Sequence, residues 1–212
     1  LYVAGFTIVA ASIVALRQDN LKRRLAYSTV SQLSYVILAA AILAPISIVG
    51  AVMHIAAHAF GKITLFFAAG SIYTASKKTQ VSQLDGIGKR MPFTMGAFAI
   101  GALSMIGIPP TAGFVSKWYI VNGALEMESF FAIAVIILST LLNASYFLPI
   151  VYAAFFKDEK PRAEDEPYAE YDNHGEAPVA IVIALSFTAL GTLALFFLPD
   201  IPLALGRALV GG

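Results

Sequence analysis

The chain has 212 residues, of which 58% are hydrophobic and only 13% are charged, and its mean hydropathy is +0.78. Soluble domains are about 25% charged, so this chain lacks the charge needed to cover a globule. We therefore predict an all-α polytopic membrane protein in which residues 1–212 form a single transmembrane domain. The net charge of +1 provides no basic face for nucleic acid, and the absence of cysteine excludes thiolate-bound clusters and internal disulfides.

Seven charge-poor apolar segments follow one another along the chain, which predicts about six to seven transmembrane helices. The fourth and fifth segments are separated by Pro109-Pro110, so one helix is expected to be broken. The tail 200–212 is too short to span and is expected at the membrane interface. The segments are Leu1–Leu16, Leu25–Ala44, Val49–Ser76, Met91–Ile108, Thr111–Leu125, Ser129–Phe156 and Pro178–Leu198. Because the chain begins at Leu1 without signal-peptide features, we expect a piece of a longer protein.

Two short loops rich in Lys and Arg orient the predicted bundle. Loops 17–24 and 77–90 each carry four basic side chains and one aspartate. Since such loops stay cytoplasmic, and two spans separate them, both are expected on the cytoplasmic side. If the segment Thr111–Leu125 crosses the membrane fully, the acidic loop 157–177 lies outside. That loop is predicted to be a solvated connection, because it is polar and lacks apolar periodicity.

Two lysines lie inside the predicted spans and require an explanation. A lysine at the centre of a membrane helix raises the free energy of insertion by roughly 2.5–3.5 kcal/mol. Lys62 lies well inside the third segment, and Lys117 lies between apolar and aromatic neighbours in the fifth. We expect both to face the interior of the bundle. The alternative is that each lysine anchors a kinked or interfacial helix.

His54, His58 and Lys62 recur at every fourth position of the third segment, which places all three on one face of a helix. A column of titratable groups on a buried helix face predicts a proton relay. A zinc site is the competing interpretation, because histidines four residues apart can chelate a metal. No acidic residue occurs between Asp19 and Asp85, however, and Lys62 would repel a cation. Hydrogen-bonded histidines without a function are the third interpretation.

Uncharged polar side chains in the neighbouring segments are expected to support this relay through hydrogen bonds or bridging water. Simple interhelical packing is the alternative for each of them. The interruption at residues 107–113, next to Lys117, is of the kind that lines wet cavities and transport sites. The supporting residues predicted on these segments are Ser31, Gln32, Thr64, Ser116 and Asn143.

Three long motifs carry a family resemblance. They are DNLKRRLAYSTVSQLSY (Asp19–Tyr35), HIAAHAFGKITLFFAAGSI (His54–Ile72) and IGIPPTAGFVSKWYI (Ile106–Ile120). Together they resemble the antiporter-like subunits shared by Mrp-type cation/proton antiporters and respiratory complex I. GFVSKW and LAYSTVSQL look most like the D-type membrane chain of an Mrp antiporter. The resemblance covers most of this chain but only the C-terminal half of such a protein.

The resemblance implies the second half of an inverted-repeat fold, in which a broken helix and a central polar axis carry protons. Lys62 matches the lysine of the central helix, and His54 and His58 match the histidines that precede it. Lys117 matches the position in the broken helix that is Lys in some members and Glu in others.

The resemblance also assigns two residues outside the spans. Asp19 and Lys22 match a loop pair that precedes LAYSTVSQ. Gly61 departs from the pattern, which has a bulky residue before the lysine, and we expect it to loosen the local packing.

We therefore expect proton translocation by a subunit of a Na⁺/proton antiporter, with Lys62 as the central relay and Lys117 as a gate. The chain is expected to be a transporter subunit without a cofactor or metal and without enzymatic activity of its own. A proton-pumping subunit of complex I or of a membrane hydrogenase is the nearest alternative. An intramembrane metal-binding protein and a purely structural fragment are alternatives of other classes. The expected partners are other membrane subunits, the lipid bilayer, protons and Na⁺, in the inner or plasma membrane.

Overall fold

The computed structural model describes residues 1–159 and 167–211, and in this part of the chain all regular structure is helical. This confirms the predicted all-α membrane fold. The second and third helices begin four residues earlier than predicted, at Leu21 and Pro45. The helices are α1 (Tyr2–Arg17), α2 (Leu21–Ile42), α3 (Pro45–Ser76), α4 (Ile87–Arg90), α5 (Pro92–Ile106), α6 (Ala112–Glu126), α7 (Phe130–Phe156), α8 (Val179–Phe197) and α9 (Asp200–Leu209), with 3₁₀ turns at Val81–Gln83 and Ala169–Tyr171.

Local chemistry accounts for several of these boundaries. The Asn20 side chain caps α2 by accepting a 3.0 Å hydrogen bond from the Arg23 N–H. Pro45 and Pro92 stand in the first turns of α3 and α5, where the missing N–H removes no helical hydrogen bond. At Gly107 the backbone turns left-handed, with φ of 90°, and α5 ends.

Among the described residues, four helices are long and apolar enough to cross a membrane, namely α2, α3, α7 and α8, with 22, 32, 27 and 19 residues. The central helix is α3, which packs against α2, α5, α6, α8 and α9. Many large apolar side chains point outward, among them Phe187 of α8 at 71% exposure. Such a surface suits lipid or further membrane helices rather than water.

Helices α5 and α6, each of 15 residues, form one interrupted crossing. The two helices continue in the same direction beside α3, from its middle toward its start. A Cβ placed on Gly101 of α5 would lie 3.1 Å from Leu65 Cγ, midway along α3. A Cβ on Gly123 of α6 would lie 2.6 Å from Ser47 Cβ, at the start of α3. In the described part of the chain, the four long helices and the interrupted crossing α5–α6 are joined by one shorter apolar helix, α1, of 16 residues.

The acidic loop lies at the same end of the bundle as both basic loops, here called the basic end. The segment Thr111–Leu125 completes a crossing that α5 begins, so the condition for placing the loop outside is not met. Glu159 accepts hydrogen bonds from Lys78 Nζ at 2.7 Å and Arg90 Nε at 2.5 Å. Lys89 Nζ pairs with Asp158 at 2.8 Å, in the same group of contacts.

The loop is also tied to α5 at its other end. Glu176 caps this helix by accepting hydrogen bonds from the Phe93 N–H at 2.7 Å and from the Thr94 N–H and hydroxyl. Glu159 and Glu176 thus attach both ends of the loop to the bundle, whereas a solvated connection was expected, and Tyr168, Glu170 and Asn173 between them are exposed. Glu164, Asp165 and Glu166 lie outside the described residues.

Helix α9 lies across the end opposite the basic loops. Its Gly206 packs so closely on the start of α3 that an added Cβ would lie 2.9 Å from Val49 Cα. Leu203 is buried, whereas Ile201, Leu205 and Leu209 are exposed. A short helix with one face buried on the bundle and the other exposed agrees with the expectation that the tail does not span the membrane.

Candidate functional site

The titratable face of α3 is buried in the bundle. His54, His58 and Lys62 are 2%, 8% and 5% exposed. The two imidazole rings are nearly parallel, with centroids 6.3 Å apart and an interplanar angle of 20°. The i, i+4 spacing produces this stacking, because residues four apart lie one above the other on a helix. The structure thus brings the three predicted groups into one column.

Lys62 is held by neutral acceptors from α2. Its Nζ donates to Ser28 Oγ at 2.6 Å and to the Leu25 carbonyl at 3.2 Å. The ammonium also lies 5.8 Å from the centroid of the Phe147 ring. Among the described residues, no carboxylate forms an ion pair with Lys62.

Lys117 is bound by the broken end of α5. Its Nζ donates to the carbonyls of Ile106 at 2.8 Å and Met105 at 3.3 Å, and to Thr140 Oγ1 at 3.2 Å. The carbonyls in the last turn of a helix have no helical N–H partner and carry its partial negative charge. The interruption after α5 therefore creates an acceptor site for an ammonium without any acidic side chain.

The Met105 carbonyl accepts hydrogen bonds from three helices. Besides Lys117 of α6, Gln32 Nε2 of α2 donates to it at 3.2 Å and Asn143 Nδ2 of α7 at 3.3 Å. The Tyr146 hydroxyl in turn donates a short hydrogen bond to Asn143 Oδ1. This convergence fixes the end of α5 relative to its three neighbours.

An aromatic and hydroxyl contact connects the histidine column to Lys117. His54 Nδ1 lies 2.9 Å from Ser116 Oγ, one residue before Lys117. The Tyr35 ring stacks on the His54 ring at 5.3 Å, and Lys117 Nζ lies 5.1 Å from the same Tyr35 ring. The Nε2 atoms of His54 and His58 are buried without a hydrogen-bond partner among the described groups. A bridging water would satisfy such atoms.

Three of the five supporting residues predicted on the spans lie at this site, namely Gln32, Ser116 and Asn143. The other two face elsewhere. The Ser31 hydroxyl bonds to α1, through the Ile8 carbonyl at 3.1 Å and the Ser12 hydroxyl at 2.8 Å. The Thr64 hydroxyl donates to Thr188 Oγ1 of α8 at 2.8 Å.

Asp19 and Lys22 lie at the basic end, apart from the buried column. Asp19 accepts hydrogen bonds from the Ser82 N–H at 3.0 Å and the Ser82 hydroxyl at 2.7 Å. Lys22 Nζ lies 5.1 Å from the centroid of the Tyr73 ring. These contacts join the two basic loops to each other and to α3.

Gly61 does not loosen the packing, in contrast to the expectation from the sequence. A Cβ at this position would lie 2.5 Å from Met105 Cε. The small residue therefore lets the end of α5 approach α3 beside Lys62. The expectation was wrong because the Met105 side chain of α5 occupies the space that a bulky residue at position 61 of α3 would have filled.

Two features of the structure were not predicted from the sequence. The first is that the carbonyls of Met105 and Ile106 bind Lys117. Backbone acceptors leave no side-chain signal, although the Gly107 and Pro109-Pro110 break shows where helical carbonyls lose their partners. The second is Lys78, which was expected as an ordinary loop lysine but is buried at 3% exposure. Within the described residues, no group of three or more His, Asp or Glu side chains is placed to hold a metal.

Comparison with known proteins identifies relatives of this chain. A family model described as NADH:quinone oxidoreductase/Mrp antiporter, TM matches residues 1–143. The chain is 39% identical over 198 residues to NADH-quinone oxidoreductase subunit N of Desulforudis audaxviator, an alignment that covers 92% of this chain and 40% of that protein.

Solved structures share the fold, and two of them show the extent of the similarity. A chain of the Mrp complex from Dietzia sp. DQ12-45-1b superposes with a TM-score of 0.86 at 23% identity, covering 97% of this chain and 45% of the other. A chain of the membrane-bound sulfane sulfur reductase, an archaeal respiratory membrane complex, superposes with a TM-score of 0.80 at 26% identity. The superposition covers 92% of this chain and 31% of the other. The chain therefore spans less than half the length of these relatives.

Proposed function

Because the chain belongs to the NADH:quinone oxidoreductase/Mrp antiporter transmembrane family, we propose that it carries protons through the membrane as part of a larger complex. The route is the buried column of α3 together with the ammonium site at the end of α5. The chain itself is a transporter-like membrane subunit, and any redox reaction takes place in partner subunits. The residues proposed to carry protons are His54, His58, Lys62 and Lys117.

The observation that carries this proposal is the environment of the two lysines. Both are buried, and both are bound by hydroxyls and carbonyls rather than by carboxylates. A carboxylate would hold the ammonium as a permanent ion pair in a low-dielectric interior. A hydroxyl can accept from the ammonium and donate to the free amine, so it serves both protonation states. This environment suits a lysine that gains and loses a proton.

The histidines provide the steps between the lysines. Their ring centroids are 6.3 Å apart, which is too far for direct transfer but short enough for one bridging water. Each ring has a buried Nε2 that can bind such a water. The His54 contact with Ser116 then leads to the helix that carries Lys117.

The driving reaction is proposed from sequence identity. The 39% identity to NADH-quinone oxidoreductase subunit N favours a redox-driven complex with other membrane subunits. The Mrp-type Na⁺/proton antiporter, which the sequence motifs favoured, is the second candidate, supported by the TM-score of 0.86 to the Mrp chain. Proton uptake powered by an electron donor and quinone, and insensitive to a Na⁺ gradient, supports the first candidate. Uptake powered by the Na⁺ gradient alone supports the second.

Proton uptake into tight vesicles containing the complete complex tests the proton route itself. We expect Lys62→Ala and Lys117→Ala each to lower the uptake rate at least about tenfold while the complex still assembles, because each removes a group that must carry a proton. Lys89→Ala is the matched control, since this lysine is exposed at the basic end. Normal uptake in both buried-lysine variants would overturn the proposal.

A further inference from the structure

The basic side chains at the basic end of the bundle fall into two groups. One group is neutralised, because Glu159, Asp158 and Asp85 form ion pairs with the lysines and the arginine beside them. The side chains of the other group form neither an ion pair nor a hydrogen bond with any described residue, and all of them are exposed or half-exposed. They are Arg17, Lys22, Arg23 and Lys77.

Two of these uncompensated cations lie beside one aromatic ring. Lys22 Nζ of α2 and Lys77 Nζ at the end of α3 are each 5.1 Å from the centroid of the Tyr73 ring. Lys77 Nζ lies at the same distance from the Tyr171 ring. A tyrosine ring attracts a cation without neutralising its charge, so two neighbouring ammoniums are left that repel each other. A bound anion would remove this repulsion.

The acidic residues nearest in sequence do not supply that anion. Asp19 shares a loop with Lys22, but its two carboxylate oxygens accept hydrogen bonds from the Ser82 N–H at 3.0 Å and the Ser82 hydroxyl at 2.7 Å. The acidic residues on either side of Tyr171 form no ion pair with Lys77. The pair of ammoniums is therefore open to an anion from outside the described chain.

The Tyr73 ring stands on the outward face of α3, above an open notch. Phe66 and Tyr73 are both exposed. Gly70 lies between them on the same face, because residues three and four apart are neighbours on a helix. A Cβ on Gly70 would meet no atom within 4 Å. The missing side chain thus leaves a space between two aromatic rings, and a linear hydrocarbon chain fits such a space.

The notch and the ammoniums follow each other in the order in which a phospholipid presents its parts. Gly70 precedes the end of α3 at Ser76 by six residues, which is about 9 Å along the helix axis. The two ammoniums and the Tyr73 ring lie nearer to that end, the level at which tyrosine is enriched in membrane proteins. A headgroup at the lysines would therefore place its hydrocarbon at the notch.

We propose that Lys22 and Lys77 bind the phosphate of an anionic phospholipid, whose acyl chain lies in the notch at Gly70. The two ammoniums donate to the phosphate oxygens. A free phosphate ion would satisfy the charge but leave the notch unused. A zwitterionic lipid would bring its own cation toward the two lysines, so a lipid with net negative charge is favoured. This site is separate from the proposed proton route.

Photo-crosslinking in vesicles that contain the complete complex tests this site. The probe is phosphatidylglycerol with a photoreactive group on one acyl chain, present as a trace in phosphatidylcholine. Trypsin cleaves after Lys62 and Lys77, so the peptide 63–77 reports labelling at the notch. We expect this peptide to be labelled, and unlabelled phosphatidylglycerol to compete with the probe. Inorganic phosphate should not compete, and a phosphatidylcholine probe with the same photoreactive chain should label the peptide far less.

Charge variants with a matched control test the headgroup. Lys22→Gln and Lys77→Gln should each lower the labelling about fivefold, the contribution of one lysine to the binding of anionic lipid at a membrane surface. In Lys77→Gln the reporting peptide becomes 63–78. Lys89→Gln is the control, because this lysine is exposed at the same end but pairs with Asp158. It should leave the labelling unchanged.

A second pair of variants tests the notch without changing any charge. Gly70→Leu fills the space and should reduce the labelling as strongly as the loss of one lysine. Gly96→Leu adds the same side chain at a glycine of α5 that is also open and also close to the basic end. It should leave the labelling of the peptide 63–77 unchanged.

Several outcomes would overturn the inference. Equal labelling by the two probes, or undiminished labelling in both Lys22→Gln and Lys77→Gln, would remove the preference for an anionic lipid. Competition by inorganic phosphate would leave an anion site that is not a lipid site. An unlabelled peptide would mean that something else covers the lysines, such as an acidic segment of a partner subunit. None of these results affects the proposed proton route, which the uptake of Lys62→Ala and Lys117→Ala decides.

Discussion

Lys78 and Glu159 form a largely buried ion pair although they are 81 residues apart, with Nζ 2.7 Å from Oε1 and side-chain exposures of 2% and 16%. Arg90 Nε binds the other oxygen of Glu159 at 2.5 Å. One carboxylate thus joins the loop after α3, the helix α4 and the loop after α7. These contacts hold the three segments together at the basic end of the bundle.

Removing the charge of Glu159 should destabilise the protein. Glu159→Gln leaves Lys78 buried without its counter-ion, and breaking a buried pair is strongly unfavourable. We expect a loss of about 2 kcal/mol in the free energy of unfolding, reduced from the values for fully buried pairs because Glu159 keeps some contact with solvent. Denaturant unfolding in detergent measures this loss. Asp158→Asn, which removes an exposed pair with Lys89, is the control and should not change the midpoint measurably.

Lowering the pH should weaken the ionic contacts of Glu159 at the basic end and so reduce the stability of the protein. Burial opposes ionisation of Glu159, but the hydrogen bonds and charges of Lys78 and Arg90 outweigh it and hold the pKa of this carboxyl below its ordinary value. A lowered pKa in the folded state contributes stability above the unfolded-state pKa, about 4.3, and this contribution is lost as the pH falls through the folded-state value. The wild type should therefore lose more stability than Glu159→Gln between pH 6 and 3. Parallel curves for the two proteins would contradict this prediction.

The interrupted crossing should be intolerant of a single added methyl group at Gly113. A Cβ there would lie 1.8 Å from the Ser104 carbonyl oxygen, so α6 could not start beside the end of α5. We expect Gly113→Ala to abolish assembly or uptake. A Cβ on Gly96 of α5 meets no atom within 4 Å. Gly96→Ala should be neutral or up to about 1 kcal/mol stabilising, because alanine is the better helix former. Equal behaviour of the two variants, measured as yield and uptake, would be evidence against this geometry.

The histidine column should not bind zinc. His54 and His58 present stacked rings, and Lys62 lies one turn away with its positive charge. A zinc site needs three or four ligands, which these residues do not supply. The metal content of the purified complex should therefore be the same for wild type and His54→Ala. Stoichiometric zinc that disappears in the variant would instead favour the metal-binding interpretation.

Hydropathy and helical periodicity were sufficient to predict the seven described helices of 15 or more residues. Each apolar segment corresponds to a helix, and the spacing of His54, His58 and Lys62 placed them on one face because that relation is local to α3. The break between α5 and α6 was predicted from Pro109-Pro110, but the sequence left open whether the two 15-residue segments make one crossing or two. The side of the acidic loop depended on that choice, so the sequence placed the loop outside only on the condition that Thr111–Leu125 is a full crossing.

Contacts between distant parts of the chain account for the remaining differences. The direction in which Ser31 and Thr64 point depends on where α1 and α8 pack, which the sequence of α2 or α3 alone does not determine. The burial of Lys78 likewise depends on Glu159, far along the chain. The ammonium site of Lys117 is made of backbone, and any residues at 105 and 106 would supply the same carbonyls.

The position of Glu159 in the chain also bears on how the protein is made. The ribosome produces Lys78 and Arg90 long before it produces Glu159, 81 and 69 residues later. The early helices thus meet the insertion machinery with uncompensated cations, the condition under which Lys and Arg select the cytoplasmic side. Glu159 can pair with Lys78 and Arg90 only after α7 has been synthesised, so the ionic contact that secures the finished bundle forms late in synthesis.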